Sequence, residues 1–462
     1  MRNKMKNIAK VWRSSTAFLL SAFSFLILIT SCSNELDDTL QPVENGTLQF
    51  AVSDFPAFGE GAQTRAIGTQ DAGKTAWENG DQIIITLISQ KYGEQAVALT
   101  YNGSSWSTEA SLSYLENETP SVSVFYAPCF EVTEEGTMQL RSGMQLGMTE
   151  YLSGNYEIEN GIMTITFEGA IRTYSRLRIA GLANQTLTVT TTNFTPAGAT
   201  EVATAAYPLT TDNYGNAFLY GVFAEGATVS VKQGDITLKD YTFTAEKNPN
   251  GTEYNKSYAL DATPVIDGTL GGKDTAEESD ITALVEQLKA YVDNGITTII
   301  VPGSKSAIIT VGNITETAIG EAIYRLSGNG NYDENNPYNG KIDLVLPDVT
   351  EIVAMEFYAA FALNSITLPK VTTIGDMAFQ GCDHLTKLTF GSVLTTIDEH
   401  DGLMFWVGEK VDGCNLFINC GQMNSQYVPD LATNTWTILH TNEFKSITLT
   451  HTGECDECKS NQ

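Results

Sequence analysis

Seven cysteines, four histidines and several acidic runs are the groups in this 462-residue chain whose types and spacing suit chemistry. Cys414 and Cys420, then Cys455 and Cys458, bring four thiols that would suffice for a tetrahedral zinc site. Their spacing argues for less, because five residues separate the first pair and the second lies in a polar tail. A disulfide or loose thiols fit better, and Cys455-Asp-Glu-Cys458 lacks the βαβ setting in which a C-x-x-C does redox work. Asp398-Glu-His-Asp401 offers carboxylates and an imidazole, yet reads as a solvated turn between apolar segments. Gly328-Asn-Gly-Asn-Tyr-Asp-Glu-Asn-Asn336 is rich in oxygen but lacks the closing acid of a calcium loop. His384, His400, His440 and His451 sit in no nucleophile or metalloprotease motif. No phosphate-cradling glycine loop precedes a helix. The expectation is a protein with no metal, no cofactor and no catalytic residues, and not an enzyme.

Cys32 has a different setting. Arg2, Lys4, Lys6, Lys10 and Arg13 precede an apolar run at residues 17–29, and small residues lead to Cys32. These are the three parts of an export signal, residues 1–31, and the apolar run is too short for a comfortable bilayer span. Ile29-Thr-Ser-Cys32 is similar to a bacterial lipobox. That resemblance implies that Cys32 is diacylated and becomes the mature N-terminus, so that the membrane is met through lipid. Two or three acyl chains anchor stably, since each buried methylene contributes about 0.8 kcal/mol. Ser33-Asn-Glu-Leu-Asp-Asp38, which opens an acidic tether over residues 32–46, resembles the surface-export tags of lipoproteins from gut and oral Gram-negative anaerobes. The implied location is the outer membrane, exposed at the cell surface. An oxidising exterior also favours disulfides over zinc for the four distal thiols.

The net charge of −29 argues against nucleic acid, whose phosphates demand a basic surface. The signal region holds five cations and no acid, so the exported remainder is more acidic still. That suits solubility and identifies no partner. The length leaves room for two to four domains, and the composition, with many short alternating runs, places the chain among folded, β-rich proteins.

The elements that position these groups are clearest at residues 344–390. Leu344, Ile366 and Leu388 are 22 residues apart, as are Leu346, Leu368 and Phe390, and Val349, Val371 and Val393. Phe357 and Phe379 keep the step, as do Leu363 and Leu385, and Pro347 answers Pro369. Such a period means stacked supersecondary units, none of which buries its apolar face alone. Ile342-Asp-Leu-Val-Leu346 and Ile366-Thr-Leu368 read as strands stopped by proline. The expected repeat core is Leu346, Val349, Ile352, Phe357, Leu368, Val371, Ile374, Phe379 and Leu385, with Cys382 a small buried hydrophobe on the same landmark. Ser365-Ile-Thr-Leu-Pro-Lys-Val-Thr-Thr-Ile-Gly-Asp-Met-Ala-Phe-Gln-Gly-Cys-Asp-His-Leu385 resembles the BspA-type leucine-rich repeat. The preceding unit departs at Val353 and Ala354, and the following one takes an extra residue before Ile397. The resemblance implies a short solenoid used for adhesion or partner binding at a cell surface.

Residues 47–262 read as β throughout. Leu48, Phe50 and Val52 alternate, residues 82–88 form an apolar strand, and Asn102-Gly103 turns a hairpin that ends at Trp106. Many strands with polar turns at short spacing predict a β-sandwich or two in tandem, with a break near residue 155. Thr64-Arg-Ala66, Trp77-Glu-Asn-Gly-Asp81, Phe125-Tyr-Ala-Pro128, Tyr174-Ser-Arg-Leu-Arg178, Tyr220-Gly-Val222 and Asn255-Lys-Ser-Tyr258 occur in the order found in fimbrillin lipoproteins, which this region resembles. That resemblance implies transthyretin-like sandwiches, assembly with other fimbrial subunits, and proteolytic maturation after Arg65. From the residues themselves, Arg176 and Arg178 read as the polar face of a strand.

Residues 263–278 read as a linker. Ile281, Leu284, Val285, Leu288 and Val292 then follow helical spacing, with Asp280 or Ser279 as cap and Gly295 as stop. Ile319, Ala322, Ile323 and Leu326 give a second helix, and the two look like the atypical cap a solenoid needs. The repeat domain so defined is 279–443, and a last strand and polar tail fill 444–462. The fold class is therefore mostly β: one or two β-sandwiches, then a short leucine-rich-repeat solenoid with a helical cap. The functional expectation is a surface lipoprotein, an adhesin or fimbrial tip or accessory subunit, binding a protein or glycan through the repeats. The alternative is a glycan-binding lipoprotein of a nutrient-uptake system, for which Trp106, Trp406 and Trp436 are the rings to inspect.

Overall fold

The computed structural model describes residues 49–56, 74–114, 118–159, 161–167, 172–246, 251–311, 314–375 and 377–391, and the backbone of five short strands beyond them. The chain is mostly β. Strands β1 (Gln49–Val52), β2 (Gln82–Ser89), β3 (Gly93–Tyr101), β4 (Trp106–Ser107), β5 (Ser121–Tyr126), β6 (Phe130–Val132), β7 (Met138–Leu140), β8 (Leu152–Glu159) and β9 (Ile162–Thr166) come first. Seven of them make one sheet in the order β1-β9-β8-β5-β2-β3-β4, and β6 pairs with β7 alone. The alternation of β2 decides its buried face: Ile83, Ile85 and Leu87 join Val97, Leu99, Val124 and Ile165 in one core. The β3–β4 hairpin turns at Asn102-Gly103, where the Asn102 carboxamide accepts from the Ser104 and Ser105 amides and Gly103 takes a φ of +93°. β1 joins the edge in parallel, Val52 opposite Ile165.

A second sheet follows, from β10 (Ser175–Ala180), β11 (Thr186–Pro196), β12 (Ala203–Thr210), β13 (Asn216–Gln233), β14 (Ile236–Thr242) and β15 (Ser257–Asp261). Its order is β12-β11-β13-β10-β15, and the 18-residue β13 also takes β14. Leu177, Ile179, Val189, Phe194, Leu219 and Phe223 centre a core of their own. Residue 155 thus lies inside β8, and the step between sheets falls after Thr166, not near 155. Arg176 and Arg178, read as the polar face of a strand, are both buried, at 2% and 1% exposure. Arg176 donates to Ser257 Oγ and lies over the Phe218 ring, so alternation marked a face that packing then covered.

Residues 263–278 pack rather than tether. Ile266 and Ala276 enter the C-terminal core, and parallel bridges join Val265 to Ile300 and Thr275 to Ile308. Their glycines and acids make turns, as where Asp267 accepts from the Thr269 and Gly271 amides. Helix α1 (Glu278–Asp293) starts earlier than expected, with Glu277 as its N-cap; Asp280 instead reaches back to the Glu277 amide at 2.9 Å. Strand β16 (Thr298–Ile300), the hairpin β17 (Ile308–Val311) and β18 (Ile314–Thr317), and helix α2 (Ala318–Leu326) come next, Thr317 capping α2 by accepting from the Gly320 amide.

The repeats supply two parallel ladders. β19 (Ile342–Val345), β20 (Glu351–Ile352), β21 (Leu363–Leu368), β22 (Thr373–Ile374), β23 (Lys387–Phe390), β24 (Thr396–Ile397), β25 (Cys414–Asn419), β26 (Pro429–Asp430), β27 (Thr435–Trp436) and β28 (Phe444–Thr450) complete the described strands. One ladder runs β16-β19-β21-β23-β25-β28 and the other β20-β22-β24. β28 is therefore the last strand of the repeat sheet rather than a separate terminal piece. Both helices and the repeats share one core, in which Leu288, Ile299, Ile323, Leu344, Ile366 and Leu388 are buried.

Candidate functional site

The repeat ladder is the part of the chain whose geometry follows most directly from its residues. The register stacks Leu344, Ile366, Leu388 and Leu416, the 22-residue column of the sequence extended by one strand. In the second ladder Ile352, Ile374 and Ile397 align, so the extra residue in the third unit is absorbed before its strand begins. Phe357 and Phe379 stack at 5.7 Å with planes 9° apart, both buried. Val349, expected in the core, is half-buried and packs on its flank. The other expected core residues are all buried, as is Cys382, whose Sγ lies 3.0 Å from the Phe357 carbonyl.

Close stacking explains where the repeat must hold glycine. A Cβ on Gly375 would lie 2.4 Å from the Ala354 amide nitrogen of the preceding unit, and one on Gly391 would lie 1.8 Å from the Pro369 carbonyl oxygen. Val353 stands in the column of Gly375, directly after strand β20, which begins the ladder. The departure at Val353 is thus the mark of a first unit. A second signature is conformational: Met355 and Met377 take φ of +60° and +53°, and Ala359 and Gly381 take +50° and +76°, again in matched columns.

Alternation turns every second residue of the large ladder away from the core. One row runs Thr298, Asp343, Ser365, Lys387, and the next Ile300, Val345, Thr367, Thr389. Lys387 is exposed and the other seven are half-buried, whereas their neighbours Ile299, Leu344, Ile366 and Leu388 are buried. Asp343 ties two strands by accepting from Asn364 Nδ2 at 2.8 Å and Ser365 Oγ at 2.6 Å. This face sets a polar row, running from Asp343 to Lys387, beside a mixed row of Ile300, Val345 and two threonines, of which Thr389 has its hydroxyl buried.

Behind the same units lies a group of carboxyls that motif reading missed, because its members are distant in sequence. Glu356 is buried against the start of α2, accepting from the Thr317 hydroxyl and, at 3.3 Å, from the Thr317 amide. Burial outweighs those donors and pushes its pKa up to about 7. Glu316 is pushed up to about 7 as well, first by burial and then by the charges of Glu321 and Glu356. Arg325 holds Glu321 at 2.6 Å and also pairs with Glu278.

Of the expected site residues, Cys32, Arg65, Cys420, Cys455 and Cys458 lie outside the described residues. The same holds for Asp398-Glu-His-Asp401, Trp406 and the side chains of Cys414 and Trp436. The oxygen-rich loop at residues 328–336 uses its groups internally: Asp333 accepts from the Asn335 amide, and the Tyr332 ring packs on Phe361 and His384. Trp106 is half-buried and meets Trp77 edge-on at 4.9 Å, so it braces the first core. Among the described residues, no group of three or more His, Cys, Asp or Glu is placed to hold a metal ion, and no helix is long and apolar enough to cross a membrane.

Comparison with known proteins bears on the ladder. The model of the BspA-type leucine-rich repeat region matches residues 343–401. No curated protein matches the chain. Among solved structures, a candidate cell adhesion protein from Bacteroides fragilis is similar at 12% identity, over 47% of this chain and 92% of that one, with a TM-score of 0.26. A likeness at that score carries no argument. The residues that match the repeat model are those that form the middle of the stacked ladders described above.

Proposed function

We propose that this protein is a cell-surface adhesin that holds its partner on the open face of a leucine-rich-repeat solenoid. The observation that carries the reading is the pair of outward rows, Asp343-Ser365-Lys387 and Val345-Thr367-Thr389, lying over a core that matches the BspA-type repeat. In this reading Cys32 is lipidated and anchors the protein in the outer membrane. The two N-terminal sheets are fimbrillin-like sandwiches that raise the repeats above the surface, as an accessory or tip subunit or as a free-standing stalk. Support comes from the order of the sequence landmarks, two of which take local structural roles: Glu78-Asn-Gly-Asp81 turns into β2, and Pro128 follows β5. The chemistry proposed is binding, with no catalytic step.

The test is a cell-binding assay against host-matrix proteins and immobilised glycans. Cells displaying the protein should adhere. Cys32→Ser should move the protein into the medium and abolish adhesion. The double variant Thr367→Arg/Lys387→Glu should remain on the surface, folded, and lose adhesion. Unchanged adhesion of the double variant would place the contact elsewhere and overturn the reading. Binding confined to glycans would favour the nutrient-uptake alternative.

A further inference from the structure

A cavity of about 690 Å³ opens between the two N-terminal sheets, well away from the repeats. Its volume falls within the roughly 300–1,000 Å³ of small-molecule sites. One wall is the outer face of β13, where period-two alternation presents Asn216, Phe218 and Tyr220 together. The facing wall comes from Tyr126 at the end of β5 and from residues 143–150. That wall is fixed to the second sheet: Tyr220 donates its amide to the Gly147 carbonyl at 2.7 Å, and Gln145 Nε2 donates to the Ala206 carbonyl. The cavity is therefore built by the fold.

Two of its charges are held in ion pairs, and a third, the exposed Asp212, accepts from the Tyr214 and Asn216 amides. Lys74, on the rim, holds Asp81 at 2.6 Å, and Glu150 is bound by Arg172 at 2.9 Å. An anionic ligand would have to displace Lys74 from Asp81. Two buried polar groups keep hydrogen-bonding capacity. Asn216 is 6% exposed and lines the cavity, yet its carboxamide has no hydrogen-bond partner among the described residues. Glu150 is equally buried, and all its bonds, from Arg172 and from the Tyr174 hydroxyl, go to Oε2, leaving Oε1 as a spare acceptor. The remaining lining is ring and thioether: Tyr126, Phe218, Tyr220, Met144 and Met148.

We infer that this cavity binds a neutral saccharide of one or two rings. A pyranose supplies what the walls lack: hydroxyl donors for Glu150 Oε1, donors and acceptors for the Asn216 carboxamide, and an apolar C–H face for the aromatic rings. The site is separate from the repeat face and stands whether or not that face holds a partner.

The experiment is saturation-transfer NMR and calorimetry on the full-length protein in detergent. The probes are glucose, galactose, mannose, the two N-acetylhexosamines and their dimers, with spermidine and a leucine tripeptide as charged and apolar controls. At least one sugar should saturate. Asn216→Ala and Phe218→Ala should each weaken it about tenfold or more, the equivalent of about 1.4 kcal/mol. Thr210→Trp, placed at an exposed rim position, should block the cavity without touching a core, so it remains informative if a buried variant misfolds. Absence of saturable binding by every sugar, affinity indifferent to Thr210→Trp, or preferential binding of spermidine or the tripeptide would each overturn the proposal.

Discussion

In the repeat ladder Ile366 lies between Leu344 and Leu388, each one period away along the chain, whereas Phe167 in the first N-terminal sheet donates its amide to Ser53 Oγ across 114 residues. The ladder is local and nearly one-dimensional; the N-terminal sheets are closed by contacts between remote segments. A repeat buries its face only against its neighbours, so its stability is a sum of similar interfaces. An N-terminal sheet has no such units. There, Phe55, Trp77, Trp106 and Tyr126 meet edge-on from four separate stretches of chain. The regions touch where the β13–β14 turn meets the end of α1: the Asp235 amide donates to Asn294 Oδ1 at 2.8 Å, and Ile236 and Leu238 pack on the repeat core. That contact is small beside either core, so damage to the ladder should stay in the ladder.

The strongest way to break this comparison is Phe379→Ala. The ring is fully buried and stacked on Phe357, so its loss should cost about 3–5 kcal/mol. Calorimetry should show one transition falling by many degrees while a second, from the N-terminal sheets, holds its midpoint. Equal loss in both would mean that the two regions unfold as one unit.

Acidity should separate the regions by a somewhat smaller amount. Glu356 titrates near 7 in the folded protein against an ordinary 4.5. Below pH 4.5 both states keep the proton and the shift has no effect. As pH rises from 4.5 to 7 the unfolded chain alone releases it, and the folded ladder loses stability; above 7 the loss is complete. The span corresponds to about 3 kcal/mol. The ladder transition should therefore fall between pH 5 and 8, and Glu356→Gln should reduce that slope, with Glu316 supplying the remainder, while leaving the N-terminal transition unmoved. An unaltered slope in the variant would assign the titration to other groups.

What the residues revealed in advance follows the same division. Columns spaced by 22 announce stacked strands because every unit repeats the same burial pattern, and the helical spacing of Ile281, Leu284 and Leu288 announced α1 for the same reason. Contacts without a period left no such trace. Nothing local marks Arg176 and Arg178 as buried, since alternation gives a face and not what covers it. Pro264, Gly268, Gly271 and Gly272 read as a tether because turn residues look alike whether a turn hangs free or, as here, brings Ile266 into a core. The hairpin of β17 and β18 escaped notice, and so did the meeting of Glu316, Glu321 and Glu356, which only the fold of α2 on the first repeat produces. The outward rows were implicit in the period; the cavity between the sheets was not.

The finest test lies within the ladder, at two glycines that one repeat motif places six residues apart for different reasons. Gly375 is required by space, because its Cβ would meet the Ala354 amide nitrogen at 2.4 Å, and backbone in a packed stack yields little. Gly375→Ala should therefore cost about 1–3 kcal/mol, in the range of core overpacking. Gly381 has room, its Cβ meeting nothing nearer than Ala359 Cα at 3.5 Å, but takes a left-handed φ of +76°. Alanine there is strained by about 1–2 kcal/mol, and the loss of glycine's freedom in the unfolded chain returns about half of that. Ala359 already adopts φ of +50° in the matching column of the preceding unit, which shows that the stack accommodates the conformation without glycine. Gly381→Ala should thus lower the ladder by about 1 kcal/mol or less, clearly less than Gly375→Ala, when both are measured as shifts of the same calorimetric transition. If Gly381→Ala proves the more damaging, dihedral strain rather than the approach of neighbouring backbones governs where this repeat keeps its glycines.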